Sequence, residues 1–300
     1  MKLAAIDIGS NAARLLISEV ISTPQQKPEF VKLSLVRVPL RLGFDVFETG
    51  TISDAKAERF ITTIKAYKHL IDVYEVAHLA TAATSAMRDA VNAKEILERV
   101  KQETDIDIKV ISGEEEATYI YENHFADNLS NQESYLYIDV GGGSTELTFF
   151  SDGKLITQQS FNIGTIRLLK NQVVQDQWSQ MRNFIREKLR GHHHITAIGS
   201  GGNINKIFSL SKRKEGKALN LEALRNYYRE FSALSIQQRI SLYHLREDRA
   251  DVIVPALLIY INVMNWAEAD EIFVPKIGLA DGLIHMLYDK VRKAALTAVK

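Results

Sequence analysis

The sequence contains no cysteine. That absence excludes disulfides, thiolate nucleophiles and cysteine zinc ligands, and with them any phosphatase of the cysteine type. An excess of one charge is missing too: 37 lysines and arginines balance 37 aspartates and glutamates. A neutral chain has no general field for coating nucleic acid or an anionic membrane. Neither partner is expected, and a polyanionic ligand must be held by a local site. No apolar run reaches the ~20 residues of a membrane span. The longest, VIVPALLIYINVMNW at 252–266, is interrupted by Pro255, Asn262 and Asn265 and reads as a buried helix. The opening MKLAAIDIGSN has one lysine and a short apolar stretch cut by Asp7, so it does not read as a signal peptide. A cytoplasmic location is therefore expected. Of 300 residues, 46% are hydrophobic. That is apolar material for more than one core, and two domains are the first expectation.

One order of segments occurs twice. LAAIDIGSN (3–11) and YIDVGGGST (137–145) are each an apolar run, an acid and a small-residue turn. Each is followed by two more strand candidates, ARLLISEV then VKLSLVRVPLRL, and ELTFF then KLITQQSFNIG. An amphipathic helix comes next in both. In the first, Phe60, Ile61, Ile64, Tyr67 and Ile71 share a face behind a cap at Ser53; in the second, Trp178, Met181, Ile185 and Leu189 do so, with Gly191 as terminator. A short strand and small-residue turn follow, HLATAATSAMR and ITAIGSGGNIN. Each half then closes on a strand, a turn and a helix, IKVISGEEEATYIY and IFVPKIGLADGLIH. The repeat predicts two tandem α/β domains with mixed sheets, 1–117 and 118–287, with the last helix (about 288–300) packing back on the first. Segments 22–29 and 211–218 read as solvated loops, including the basic run Lys212, Arg213 and Lys214.

The turn between Asp139 and Glu146 carries most of the chemistry. Gly141, Gly142 and Gly143 let backbone N–H groups approach an anion, and Ser144 and Thr145 add hydroxyls. Carboxylates repel phosphate, so two of them flanking a phosphate cradle make sense around a divalent cation. Magnesium, an oxygen-seeking ion that keeps several waters, is the natural candidate, held by Asp139 and Glu146 directly or through water. No G-x-x-x-x-G-K-[ST] or G-x-G-x-x-G motif offers a competing phosphate site. The matching turn Asp7-Ile8-Gly9-Ser10-Asn11 is expected to face the second across an interdomain cleft holding the active site. His192, His193 and His194 are adjacent, so on a strand they point to opposite faces and make a poor metal site.

Together, IDIGSNAARLLI, ATAATSAMRDAVN, VISGEEEATYIY, YIDVGGGSTEL, IGTIRL, IGSGGNI and RADVIVPALLI resemble the exopolyphosphatase/guanosine pentaphosphate phosphohydrolase (Ppx/GppA) family, in the family's order from residue 4 to about residue 260. That family lies within the actin-like ATPase superfamily of ribonuclease H-like folds. The resemblance implies release of terminal phosphate from inorganic polyphosphate, from pppGpp (a nucleotide of the stringent response) or from both, with Mg2+. It places the catalytic glutamate at Glu116, phosphate-contacting Arg88 in SAMRDA, metal-associated acids at Asp139 and Glu146, and phosphate loops at Ser10, Asn11, Ser200 and Gly201. Ala12 and Gly202 depart from the family's usual serine and threonine. Longer relatives continue into helical domains past residue 300, and without them a weak grip on long polyphosphate is expected. A homodimer is left open. The alternatives are a kinase of the same superfamily, which would need an acceptor alcohol, and a non-catalytic (p)ppGpp-binding sensor, which would not need Glu116, Asp139 and Glu146 together.

Glu114 and Glu115 have a structural explanation, a capping box from Ser112 and negative charge in a first helical turn. Three single Glu→Gln variants separate them from Glu116. At 114 and 115 the change should cost at most ~1 kcal/mol of stability with turnover nearly intact. At 116 turnover should fall ~10²–10⁴-fold with folding preserved. Equal small losses at all three positions would reduce the acidic run to a helix start.

Overall fold

The computed structural model describes residues 1–22, 27–121, 133–275 and 277–298. The chain divides into two units: one takes Met1–Ser112, the helix residues from Thr118 and the chain from Leu279, and the other takes Gly113–Ala117 and the chain up to Gly278.

In the first unit, β1 (Lys2–Ile8) and β2 (Ala13–Ile21) form a hairpin, and β3 (Glu29–Val38) extends it. Helices α1 (Leu42–Thr49) and α2 (Asp54–Val73) lead to β4 (His78–Ala83), which returns parallel to β1. The sheet order is β3-β2-β1-β4. Short α3 (Ser85–Asp89) and then α4 (Ala93–Thr104) follow, and α5 (Gly113–Tyr121) is divided, its residues Gly113–Ala117 belonging to the second unit. The expected apolar face of α2 is buried in full, from Phe60 to Ile71. Its Tyr67 hydroxyl donates to the Ala13 carbonyl at 3.0 Å, and burial, with the nearby Asp7 charge, pushes that phenol's pKa up.

Two expectations need correcting. Ser53 stands before α2, but its hydroxyl donates to Asp45 Oδ2 at 2.6 Å instead of capping the helix. The strand read in IKVIS is only a single bridge, Val110 against Ala83, because the segment exchanges just two ladder bonds before turning into α5.

The second unit repeats the plan. Strands β5 (Ser134–Val140), β6 (Thr145–Ser151) and β7 (Lys154–Phe161) run antiparallel, and after α6 (Thr165–Leu169) and α7 (Gln175–Lys188), β8 (Ile195–Ser200) pairs parallel with β5. Next come α8 (Gly202–Leu210), β9 (Leu219–Asn220), α9 (Leu221–Ala233), α10 (Ile236–Tyr243), α11 (Glu247–Ala250), α12 (Ile253–Trp266) and β10 (Glu271–Phe273). The sheet order is β7-β6-β5-β8-β10-β9, so its first four strands copy the order and directions of the first sheet. The core joins Leu136, Ile138, Leu147 and Phe149 of the sheet to Met181 and Ile185 of α7 and Ile259 and Val263 of α12. Most of the long apolar run is thus a buried helix, and no helix among the described residues is long and apolar enough to cross a membrane. Lys212, Arg213 and Lys214 are exposed in a loop, as read from the sequence.

The last helix, α13 (Leu279–Ala298), starts earlier than residue 288 and belongs with the first unit. Leu283, Ile284, Leu287 and Tyr288 pack on Leu3, Ala5, Leu16 and Val20. Part of the 22–29 loop, residues 23–26, lies outside the described residues.

Phe60 is fully buried in the first unit. Phe60→Ala should lower the unfolding free energy by about 3–5 kcal/mol, since the lost transfer energy is joined by a cavity that neighbours fill only in part. Urea titration measures it; a loss under about 1 kcal/mol would contradict this packing.

Candidate active site

Four side chains lie in one row across the second sheet. Ser160 on β7 pairs with Glu146 on β6, Glu146 with Asp139 on β5, and Asp139 with Ser200 on β8. Side chains at paired positions stand on the same sheet face. Each serine serves the acid beside it: Ser160 Oγ donates to Glu146 Oε1 at 2.8 Å, and Ser200 Oγ donates to Asp139 Oδ1 at 2.7 Å. Glu116, from the first turn of α5, completes the group. One oxygen from each of Glu116, Asp139 and Glu146 lies within 4.8 Å of the other two. Glu116 and Glu146 are buried, and Asp139 is partly exposed.

The β8–α8 turn is locked beneath Asp139. The Tyr260 hydroxyl, from α12, donates to the Ser200 carbonyl. Burial, then the Asp139 charge, raise the pKa of this phenol well above the usual range, so it remains a donor. Gly201 has φ +111°, and a Cβ there would sit 3.3 Å from Asp139 Oδ1. The turn therefore approaches the carboxylate as only glycine allows.

The glycine turn is anchored by its carbonyl groups. Gly141 O accepts from Thr165 N–H at 3.0 Å, Gly142 O from Ile166 N–H at 2.8 Å, and Gly143 O from Arg167 Nε at 2.8 Å. In a trans peptide the N–H points opposite to the C=O, and no peptide bond here is cis. The amides of Gly142, Gly143 and Ser144 thus point away from α6. Such a run of like-directed N–H groups is suited to an anion. Thr145, expected to add a hydroxyl, donates instead to the Ile163 carbonyl at 2.6 Å, and Ser200 spends its proton on Asp139.

The sequence-predicted residues of the first unit have their own local partners. Ser10 Oγ bonds Ser85 Oγ at 2.8 Å, the Asn11 carbonyl accepts from Arg41 N–H at 2.9 Å, and Arg88 Nη1 donates to the Ile111 carbonyl at 2.7 Å. Asp7 is buried and held by Arg14 at 2.6 Å. Among the described residues no histidine joins a group able to hold a metal.

The sequence model of the Ppx/GppA phosphatase family matches residues 20–292. The chain belongs to the Ppx/GppA phosphatase family. Among similar proteins, exopolyphosphatase 1 of Mycobacterium tuberculosis is 25% identical over 95% of this chain and 87% of its own length. A bifunctional 3-dehydroquinate synthase/phosphatase of Fusobacterium nucleatum is 28% identical over 88% of this chain, which spans 39% of that longer protein. The crystal structure of the Aquifex aeolicus Ppx/GppA family member superimposes with a TM-score of 0.76 at 27% identity, covering 97% of this chain and 98% of that one. The repeated mixed sheets flanked by helices are the two-domain actin-like fold of that family.

Within this Ppx/GppA chain, sequence reasoning singled out all three clustered acids but missed Ser160, Tyr260 and the anchoring role of Arg167. Ser160 was hidden by a register shift. The two-residue turn Asp152-Gly153 has φ of 51° and 70°, as a type I′ hairpin requires. Counting back from it places Gln159 opposite Glu146. A bulge between Phe149 and Phe150 advances the pairing by one residue and delivers Ser160.

Tyr260 yields a stability test. Its raised folded pKa means the stability it provides is present below the unfolded tyrosine pKa of ~10 and is lost as pH rises above that value. Tyr260→Phe should cost about 1–3 kcal/mol near neutrality, because the buried Ser200 carbonyl loses its donor, and should flatten the fall in Tm between pH 9 and 11. Identical alkaline profiles for both proteins would contradict the buried, protonated phenol.

Proposed function

We propose that this chain is a phosphoanhydride hydrolase that releases terminal phosphate from inorganic polyphosphate, pppGpp or both. The observation that carries this reading is the convergence of Glu116, Asp139 and Glu146 in the unit that also holds the amide-lined turn at 141–144. The substrate class follows the mycobacterial exopolyphosphatase to which the chain is similar and the family to which it belongs.

The donor set fits a hard divalent cation. All three groups are carboxylates, and a serine orients one oxygen of both Asp139 and Glu146. An oxygen-only set with no nitrogen or sulfur donor suits Mg2+ or Mn2+ better than a softer metal. Asp139 and Glu146 would hold the ion. When bound, it would neutralise phosphate charge and polarise a phosphoryl oxygen.

The remaining work belongs to the chain itself. The amides of Gly142, Gly143 and Ser144 donate to phosphoryl oxygens, where they stabilise charge that builds up during transfer. Glu116 orients a water and accepts its proton as the new O–P bond forms. The bridging P–O bond breaks, and the shortened chain leaves with the bridging oxygen and its electron pair. Glu116 is buried in the cluster with Asp139 and Glu146, where a carboxylate can hold a water by a hydrogen bond. Arg88 is proposed as a phosphate ligand, since its planar fork matches phosphoryl oxygens.

A phosphate-release panel with pppGpp, short polyphosphate, long polyphosphate and ATP tests the reading. Release from at least one of the first three is expected, with little from ATP. Excess EDTA should abolish it, and Asp139→Asn should raise the Mg2+ concentration needed for half-maximal rate by at least ~10-fold. Full activity in EDTA, or no release from any polyphosphate or pppGpp, would overturn the proposal.

A further inference from the structure

We infer that Ser160, a residue outside the family's recognisable motifs in this chain, is a positioning residue that sets Glu146 and the helix carrying Glu116 against each other. The inference rests on the reading of Glu146 as a metal ligand and extends it. Ser160 makes two contacts at once. Its hydroxyl donates to Glu146 Oε1 at 2.8 Å, across the β6–β7 pair. Its Cβ and Oγ also occupy the space beside Gly113, at the start of α5: a Cβ built on Gly113 would lie 2.3 Å from both atoms. The same imagined Cβ would be 3.6 Å from Glu146 Oε1. Gly113 is therefore bare because Ser160 and the carboxylate fill its side-chain position. Three residues along that helix stands Glu116, close to one turn away.

One small side chain thus fixes both members of a pair of like charges. The hydrogen bond selects one rotamer of Glu146. The contact with Gly113 sets how near α5, and so Glu116, comes to the strand. Alanine at 160 keeps the packing nearly intact but releases the carboxylate. Orienting partners of metal-binding carboxylates typically contribute ~10–100-fold in metal affinity.

Titration calorimetry with Mn2+ alone, without substrate, tests this on Ser160→Ala, Gly113→Ala and Glu146→Gln beside the wild type. Ser160→Ala should weaken Mn2+ binding ~10-fold or more, while the Tm of the metal-free protein stays within ~2 °C and kcat at saturating metal recovers most of the wild-type value. Gly113→Ala should weaken binding in the same direction, by displacing Ser160. A residue with only a structural role would lower Tm and kcat and leave the Mn2+ affinity of the folded fraction unchanged. If Glu146→Gln weakens Mn2+ binding and Ser160→Ala does not, the positioning role of Ser160 is overturned and the metal reading stands. If Glu146→Gln binds Mn2+ like the wild type, the metal reading itself falls, and this inference with it.

Discussion

Mutual repulsion among three carboxylates is the constraint on which this site depends. Glu116, Asp139 and Glu146 present oxygens within 4.8 Å of one another, with two of the three side chains buried. Like charges at that separation repel by roughly 3–4 kcal/mol per pair at an effective dielectric near 20, and Asp139 and Glu146 are directly opposed on neighbouring strands, where like charges destabilise a sheet. A chain keeps such a group only if surrounding structure holds it open. Here the holding is visible: a serine on each flank, a buried tyrosine under one turn, and a helix start stripped of its side chain so that it can approach.

Such an arrangement needs rigid neighbours. Asp139, Glu146 and the two serines lie on four adjacent strands of one sheet, so backbone hydrogen bonds fix their spacing before any side chain contributes. Tyr260 comes from α12, whose apolar side chains fill the core of the second unit, and it carries that rigidity to the Ser200–Gly201 turn. The same strand order in the first unit supports a different chemistry. There the acid on the first strand, Asp7, is already satisfied by Arg14. One topology has been used twice, and among the described residues the acidic cluster is built on the second copy.

The Ppx/GppA family assignment, the donor set and the glycine turn converge on phosphoryl chemistry from separate directions. The family match comes from sequence along the chain, the donor set from tertiary packing, and the direction of the turn amides from carbonyls tied to α6. Polyphosphate and pppGpp both end in a phosphoanhydride, and an amide-lined turn beside acids is suited to that shared end.

Much was legible in the sequence, for a definite reason. Apolar periodicity gives strand and helix directly, so the doubled strand order, the buried face of α2 and the apolar helix at 252–266 could be read from residue spacing. Asp139 and Glu146 could be singled out because a charge next to glycines is conspicuous in one dimension, whereas Glu116 was distinguished from its two neighbours only by the family resemblance. Tertiary structure alone decided the rest. Ser53 had the right spacing for a cap, but a carboxylate from α1 took its hydroxyl. Thr145 stood in the right loop, but its proton went to Ile163. Ser160 came opposite Glu146 only because one bulged residue advanced the β7 register, and a bulge is a property of strand pairing that no single strand records. Tyr260 looked like one more aromatic in a helical core. Its role depends on a carbonyl 60 residues away, because hydrogen-bond partners are chosen by distance in space, while a sequence records only distance along the chain.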